Sequence, residues 1–254
     1  MPKESSRKKN PPLSEAAYQT IKSRIVSLKL TPGQQIDDAE LSASMAIGRT
    51  PTREALFRLV AENLVEVVQG RGFFVCNITL ANIKDLFETM LVLERTAAAL
   101  AARRVTSAQI KNLTEINAAL RNAWRGQDFY RTSLLNSRFH RTIYAATRNA
   151  LLQSYLDNMQ HQAQRLAYIC FSHAIAGFDI RSHARLSIKD HQDLINALKA
   201  KDKAAAVHII AQHVDRFHRR VLKFTQPSLE SLDTDDWNPD PAKTAAKNTN
   251  VAAW

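Results

Sequence analysis

The stretch Ile47–Val75, IGRTPTREALFRLVAENLVEVVQGRGFFV, changes its period half-way along, and that change decides the fold. In the first half Leu56, Leu59 and Val60 recur at helical spacing, behind Pro51, whose missing N–H costs nothing in a first turn. The spacing predicts a helix from about Thr50 to Asn63. From Leu64 the pattern is β-rich: Leu64-Val65-Glu66-Val67-Val68, then Gln69-Gly70-Arg71-Gly72, then Phe73-Phe74-Val75. Two short strands around a glycine-bearing basic turn predict a hairpin.

Upstream, Ala17, Ile21, Ile25 and Leu28 mark an amphipathic helix that starts at Ser14 and stops before the turn signal Thr31-Pro32-Gly33. Asp37-Asp38 offers N-cap oxygens to a short second helix through Leu41 and Met45, and Ile47-Gly48 is expected to make the next turn. Three helices and a hairpin describe a winged helix-turn-helix over residues 13–76. Downstream the period stays helical over roughly 79–104, 107–125, 128–147, 150–171, 183–200 and 202–224, with breaks near Thr106-Ser107, Gly126-Gln127, Arg148-Asn149 and Gly177. That pattern predicts an all-α antiparallel helical bundle over residues 77–225. The fold class is therefore mainly α, an N-terminal winged helix-turn-helix plus a C-terminal bundle. Residues 1–12 read as a disordered basic arm, and 226–254, without periodicity, as a disordered tail.

Composition agrees. A length of 254 residues suits two domains, and 45% hydrophobic with 23% charged residues is ordinary for a soluble globular chain. Six glycines and eight prolines argue against a turn-rich all-β fold. Cys76 and Cys170 build no disulfide framework and suit a reducing compartment; Cys76 reads as a small buried hydrophobe. No apolar run approaches the ~20 residues of a membrane helix, and no hydrophobic segment follows the basic N-terminus. A cytoplasmic, nucleoid-associated protein without membrane contact is expected. The net charge is +11, yet residues 13–76 hold seven basic and seven acidic residues, the excess lying in 77–225. Bulk charge therefore does not identify a nucleic-acid partner, and pattern has to.

A helix-turn-helix presents the start of its second helix to the major groove. Here that start is Gly48-Arg49-Thr50-Pro51-Thr52-Arg53-Glu54. The guanidinium forks of Arg49 and Arg53 fit a guanine edge. Thr50 and Thr52 can bond phosphate, helped by the free N–H groups of a helix terminus. Arg71 at the hairpin tip is placed to enter a minor groove. Arg58, further along, reads as phosphate-facing or structural. These parts, in this order, point to double-stranded DNA.

In the bundle, Asn136 and His140 share one helix face, His191 stands near the start of a later helix, and His213 midway along the last. Imidazoles on neighbouring helices can converge on one ion such as zinc, nickel, copper or iron. With eight histidines in the chain, hydrogen-bonded core or surface histidines are the default reading of spacing alone. His161, His173, His183, His208 and His218 receive no role.

The run from Tyr18 to Val75, with Leu30-Thr31-Pro32-Gly33-Gln34-Gln35-Ile36, Gly48-Arg49-Thr50-Pro51-Thr52-Arg53-Glu54-Ala55-Leu56 and Gly70-Arg71-Gly72-Phe73-Phe74-Val75, resembles the DNA-binding domain of the GntR family. Residues from about 80 to 225 resemble the FCD effector domain of its FadR subgroup, through Phe139-His140-Arg141-Thr142-Ile143-Tyr144, Asp190-His191-Gln192-Asp193-Leu194-Ile195-Asn196-Ala197-Leu198, and Asp202 with His213. The resemblance implies a homodimer on a palindromic operator, DNA contacts at Arg49, Thr50, Arg53, Gly70, Arg71 and Gly72, and a divalent metal, zinc or nickel, at Asn136, His140, His191 and His213. It also implies a small-molecule effector, an organic acid. The first metal-ligand position, an aspartate or asparagine in the family, is here the neutral oxygen donor Asn136, so the site lacks a carboxylate. Two departures stand out. Ala39 replaces a common arginine of the second helix, and Met90 replaces the arginine four residues before a glutamate, here Glu94, that grips a carboxylate. Arg95 and Arg138 are the substitutes to weigh.

The expected function is a ligand-responsive bacterial transcriptional regulator, not an enzyme: a repressor released by a metabolite. Two alternatives remain at this point. One is a metal-dependent enzyme in which three histidines activate water, with Asp190 or Asp193 as base; the other is an architectural DNA-binding dimer without effector.

Overall fold

The computed structural model describes residues 12–172 and 180–230. The basic arm up to residue 11, the break at Gly177 and the tail from 231 onwards lie outside the described residues. The first unit is α1 (Leu13–Val26), β1 (Gln35–Ile36), α2 (Asp38–Met45), α3 (Arg49–Ala61), β2 (Val65–Val68) and β3 (Gly72–Val75). Ala17, Ile21 and Ile25 of α1 meet Leu56 and Leu59 of α3 in a core closed by Leu64, Val65 and Val75 of the wing. The sheet has three strands, in the order β1-β3-β2, where the sequence suggests two. β1 pairs Gln35 with Phe74 and Ile36 with Phe73, too short a strand for period-2 alternation to betray it.

Local chemistry sets the ends. Asp37 caps α2, accepting from the N–H groups of Ala39 and Glu40 at 2.8 and 3.0 Å. The turn into α3 falls on Ala46 (φ 52°) rather than on Gly48, which keeps a φ of −62° and precedes α3. Ile47 N–H reaches back to Ser42 O at 3.1 Å, so the left-handed residue is set by helix closure and an alanine bears the strain.

The second unit is α4 (Leu80–Arg104), α5 (Ser107–Arg125), α6 (Phe129–Ala146), α7 (Ala150–Ser172), α8 (Ile180–Lys199) and α9 (Lys203–Glu230). Helix α4 packs along α9, α6 between α5 and α7, and α8 between α5 and α9. One core gathers Leu113, Phe139, Ile143, Tyr144 and Leu194, and a second gathers Phe87, Met90, Leu166 and Val214. A capping box of Thr106 and Gln109 starts α5. Helix α9 continues to Glu230, so residues 226–230, expected to open a tail, belong to the last helix. Pro227 removes one N–H there, but the turns before it are anchored by Val221 and Leu222 in the second core.

The two units meet at Glu62, just past α3. Its Oε1 accepts from Tyr18 Oη at 2.6 Å, its Oε2 accepts from Lys22 Nζ at 2.9 Å, and His161 Nδ1 of α7 lies 2.9 Å from the same oxygen. Lys22 also touches His161, and Arg141 of α6 reaches His161 Nε2 at 3.0 Å. Asn158 donates to Ala61 O at 2.7 Å, and Arg165 to Cys76 O at 2.8 Å. Burial pushes the Glu62 carboxyl up, but hydrogen bonds from His161, Tyr18 and Lys22, with the Lys22 charge, win and hold it at about 2. Lys22 goes the other way, to about 8, because its burial outweighs an acid it shares with His161. The stabilisation from Glu62 is therefore present above its ordinary value of 4.5 and lost as pH falls towards about 2. Glu62→Gln should lower the unfolding free energy at neutral pH by about 2 kcal/mol, less than the full shift because the group is partly solvated. Urea melts of both proteins at stepped pH would show the gap closing on acidification; a gap independent of pH would rule out an ionic tie.

Candidate functional site

The surface of α3 and the wing carries the residues expected to read DNA. Arg49 and Arg53 leave the same face of α3, their side chains 64% and 50% exposed. Both bond one acid, Asp38 of α2: Arg49 Nη2 donates to Oδ1 at 3.0 Å and Arg53 Nη1 to Oδ2 at 2.9 Å. The Arg53 guanidinium also lies 5.5 Å from the Phe73 ring centroid. Thr50 is exposed, whereas Thr52 is wholly buried. Its hydroxyl donates to Gly48 O at 3.0 Å, which removes it from the expected phosphate contacts: residue 52 faces the α1 core side of the helix. At the wing tip Gly70 and Gly72 have φ of 75° and 90°, with nothing within 4 Å of where a Cβ would stand. Backbone conformation, not crowding within the chain, calls for glycine there. Arg71 stacks 5.0 Å from the Phe74 ring, and its carbonyl accepts from Gln35 Nε2 at 2.8 Å, so β1 braces the tip. Arg58 is structural: it pairs with Glu15 at 2.7 Å and lies 3.9 Å from the Tyr18 ring.

Inside the bundle, α6, α8 and α9 bring His140, His191 and His213 together, all buried, with one ring nitrogen of each within 4.8 Å of the others. Phe139 stacks on His191 at 4.0 Å. His213 Nδ1 lies 3.2 Å from Asp190 Oδ2, an oxygen that also accepts from Arg216 Nε at 3.1 Å. His140 Nδ1 lies 3.3 Å from Glu94 Oε1 but out of line for a hydrogen bond. Neither nitrogen of His191 has a hydrogen-bond partner among the described residues, although the residue is 1% exposed. Burial first, and then the neighbouring His213 and His140, hold His191 well below the usual imidazole range. His213 is lowered by burial against the pull of Asp190. Both are therefore neutral near pH 7, lone pairs free of protons. Three buried imidazoles from three helices at this separation fit a divalent metal ion, with Asp190 placed to orient the His213 ring. Asn136, one turn before His140, lines the adjoining cavity with Met90, Gln160, Cys170, Asp190 and Arg216. The cavity holds about 30 Å³, room for an ion with a water or two.

The family model of the gntR family of bacterial regulatory proteins matches residues 13–75, and that of the FCD domain matches residues 85–216, more than half of the chain. The chain belongs to the GntR family and carries an FCD domain. It is a DNA-binding transcriptional regulator with an effector domain, and its domains and relatives are regulators of transcription, not enzymes. The chain is 23% identical over 223 residues to the HTH-type transcriptional repressor RspR of Escherichia coli (strain K12), 86% of this chain and 93% of that one. It is 28% identical over 184 residues to the HTH-type transcriptional regulator McbR of the same strain, 72% of this chain and 80% of McbR. The solved E. coli McbR/YncC shares the fold, with a TM-score of 0.72 at 22% identity over 86% of this chain and 100% of that one. FCD domains bind small-molecule effectors and often a metal, and this one holds a possible three-histidine site.

Within the FCD domain, Arg95 and Arg138 are exposed and neither lines the cavity. Each adjoins a buried residue, Glu94 or Phe139, and one helical step of about 100° turns it outward. The guanidinium at the cavity is Arg216, one turn beyond His213, a spacing that could have revealed it. Met90 is buried where a carboxylate-gripping arginine was considered, and Ala39 is exposed beside Asp38. Asp38, an N-cap candidate in the sequence, shows its pairing with Arg49 and Arg53 only in the tertiary structure, as Asp190, a candidate base, shows its pairing with His213 and Arg216. Because its hydroxyl is committed to Gly48 O, Thr52→Val should cost about 1 kcal/mol in a thermal melt while leaving duplex selectivity intact. A loss of selectivity at unchanged stability would return Thr52 to the DNA surface.

Proposed function

We propose that the chain works as a homodimeric repressor that residues 13–76 dock on a palindromic duplex and that a small organic acid, bound within residues 77–225, releases. Arg49 and Arg53 read base edges, Thr50 bonds phosphate, and Gly70, Arg71 and Gly72 approach the flanking minor groove. The name of the relative RspR, a repressor, supports that direction of control. His140, His191 and His213, with Asn136 on the same wall, would hold zinc or nickel, which would supply a fixed positive centre for an oxygen of the ligand. The carrying observation is the cluster of buried His140, His191 and His213, with one ring nitrogen of each within 4.8 Å of the others and two of the three lining a cavity, in a chain that also carries a winged helix-turn-helix.

The size of the cavity gives the proposal its physics. At about 30 Å³ the cavity is narrow for a metabolite, whose binding would widen it, and α7 is one of the helices that line it. Helix α7 carries His161 into the junction with Glu62, so a shift of α7 bears on the winged unit. Control follows only if the ligand prefers one arrangement of the two units. Arg216, rather than Arg95 or Arg138, is the cation beside the site.

The test uses a duplex enriched from a random library by the full-length protein. Arg49→Ala and Arg53→Ala should each lower affinity for that duplex about 10-fold or more. Purified protein should retain zinc or nickel by elemental analysis, and His191→Ala should lose it with a lower melting temperature. A panel of small carboxylates should contain one that raises the melting temperature and weakens duplex binding. Retained metal with duplex affinity unmoved by every stabilising carboxylate would leave a structural metal and sink the release mechanism.

A further inference from the structure

Asp38 has an odd position for a first-turn acid. The capping of α2 is already complete, because Asp37 takes the N–H groups of Ala39 and Glu40. The carboxylate of Asp38 turns instead towards α3 and divides itself, one oxygen to Arg49 at 3.0 Å and the other to Arg53 at 2.9 Å. The acid is recessed, 14% exposed, while the two guanidinium groups stand outside it. Burial pushes its carboxyl up, but the bonds from Arg53 and Arg49 win and hold it below the usual carboxylate range, so it is charged at neutral pH.

Two consequences follow from donor counts and charge. A guanidinium has five N–H donors; one spent on Asp38 leaves a free edge that can still make a bidentate contact with guanine. The Asp38 bonds fix where those edges point, and Phe73 and Phe57 hold Arg53 from behind with ring centroids at 5.5 and 6.0 Å. The recessed carboxylate also cancels one of two positive charges, which weakens attraction to phosphate at any sequence. Orientation favours the right duplex, and cancellation disfavours all others.

We propose that Asp38 is the positioning residue of the DNA-reading face: it sets the selectivity between duplexes by aligning Arg49 and Arg53 and by suppressing their sequence-blind binding to phosphate. The inference rests on those two arginines being the readers, as proposed above. It commits Asp38 to a role in discrimination rather than in affinity or in folding.

The experiment compares the full chain with Asp38→Asn, Asp38→Glu and the double variant Arg49→Ala/Arg53→Ala. Affinities are measured for the duplex enriched by the wild-type protein and for a random-sequence duplex, across a salt series. Asp38→Asn should weaken the enriched duplex, strengthen the random one and so cut their ratio about 10-fold, because loose guanidinium groups find phosphate as readily as guanine. On random duplex the slope of log affinity against log salt should steepen by about 0.9, one further phosphate contact. Asp38→Glu, which restores the charge, should recover part of the ratio. If Asp38→Asn melts early, the cycle decides instead: added to the double variant, it should leave the ratio unchanged, since there is nothing left to align. Equal changes on both duplexes, or an unchanged slope, overturn the role of Asp38. An unchanged ratio in the double variant overturns the reading of the arginines themselves.

Discussion

The contact between the winged unit and the helical bundle is organised around the carboxylate of Glu62. It sits at the end of α3 and holds Tyr18 and Lys22 of α1, and on its other side it meets His161 of α7. Apolar contact alone between the units would tolerate sliding, because dispersion and burial have little direction. A recessed acid with three donors around it specifies one angle and one register. The bonds of Asn158 to Ala61 and Arg165 to Cys76 lie along the same helix and fix its height against the wing. Helix α7 is thus a shared beam. One side carries the winged unit, and the other side, through Gln160, Ala163 and Cys170, walls the cavity.

The bundle interior explains why the beam is poised rather than passive. Glu94 is fully buried, with Oε2 unpartnered and Oε1 against the Tyr144 hydroxyl. Tyr144 in turn lies 2.9 Å from Gln160 Oε1, the residue before His161. Polar groups therefore lie side by side from His140 through Glu94 and Tyr144 to α7, in a core otherwise built largely of alanine, leucine and isoleucine. An unsatisfied buried oxygen costs far more in such surroundings than in water, so small shifts along this line carry large energies. Contiguity by itself is not coupling. Coupling needs two arrangements that a ligand distinguishes, and α7, which lines the cavity and carries His161 against Glu62, is the helix through which such a difference would reach the winged unit.

What the sequence revealed follows from which signals are local. Helix positions in the bundle were legible because Leu, Ile and Ala recur with the helical period and Thr106, Asp128 and Gly126 mark ends. The winged unit was legible from one change of period after Asn63. Strand β1 was not, since two residues cannot show a period and only pairing with Phe73 and Phe74 defines it. The convergence of three imidazoles needed a resemblance, because it depends on how α6, α8 and α9 cross. Thr52 misled for a local reason: a threonine near a helix start has two uses for its hydroxyl, and only packing shows which one it takes. His161 carried no signal at all. It lies among polar residues on a helix whose faces are both buried, one by the cavity and one by the wing, so amphipathicity had no contrast to display.

The departures from the family pattern differ in what they disturb. Ala39 lies on the surface beside an acid that already serves two arginines, so its lost side chain removes a contact without disturbing a neighbour. Met90 is different, because it is buried in the cavity wall and its neighbours are Ala163, Val214 and Phe217. An arginine there would need a counter-charge from the ligand; a methionine needs none and leaves that wall apolar. The charge has moved across the cavity to Arg216, which Asp190 holds beside His213. The cavity thus has Asp190, His213 and Arg216 from α8 and α9 and Asn136 and His140 from α6 in its polar lining, with Met90 and Ala163 among the apolar residues from α4 and α7.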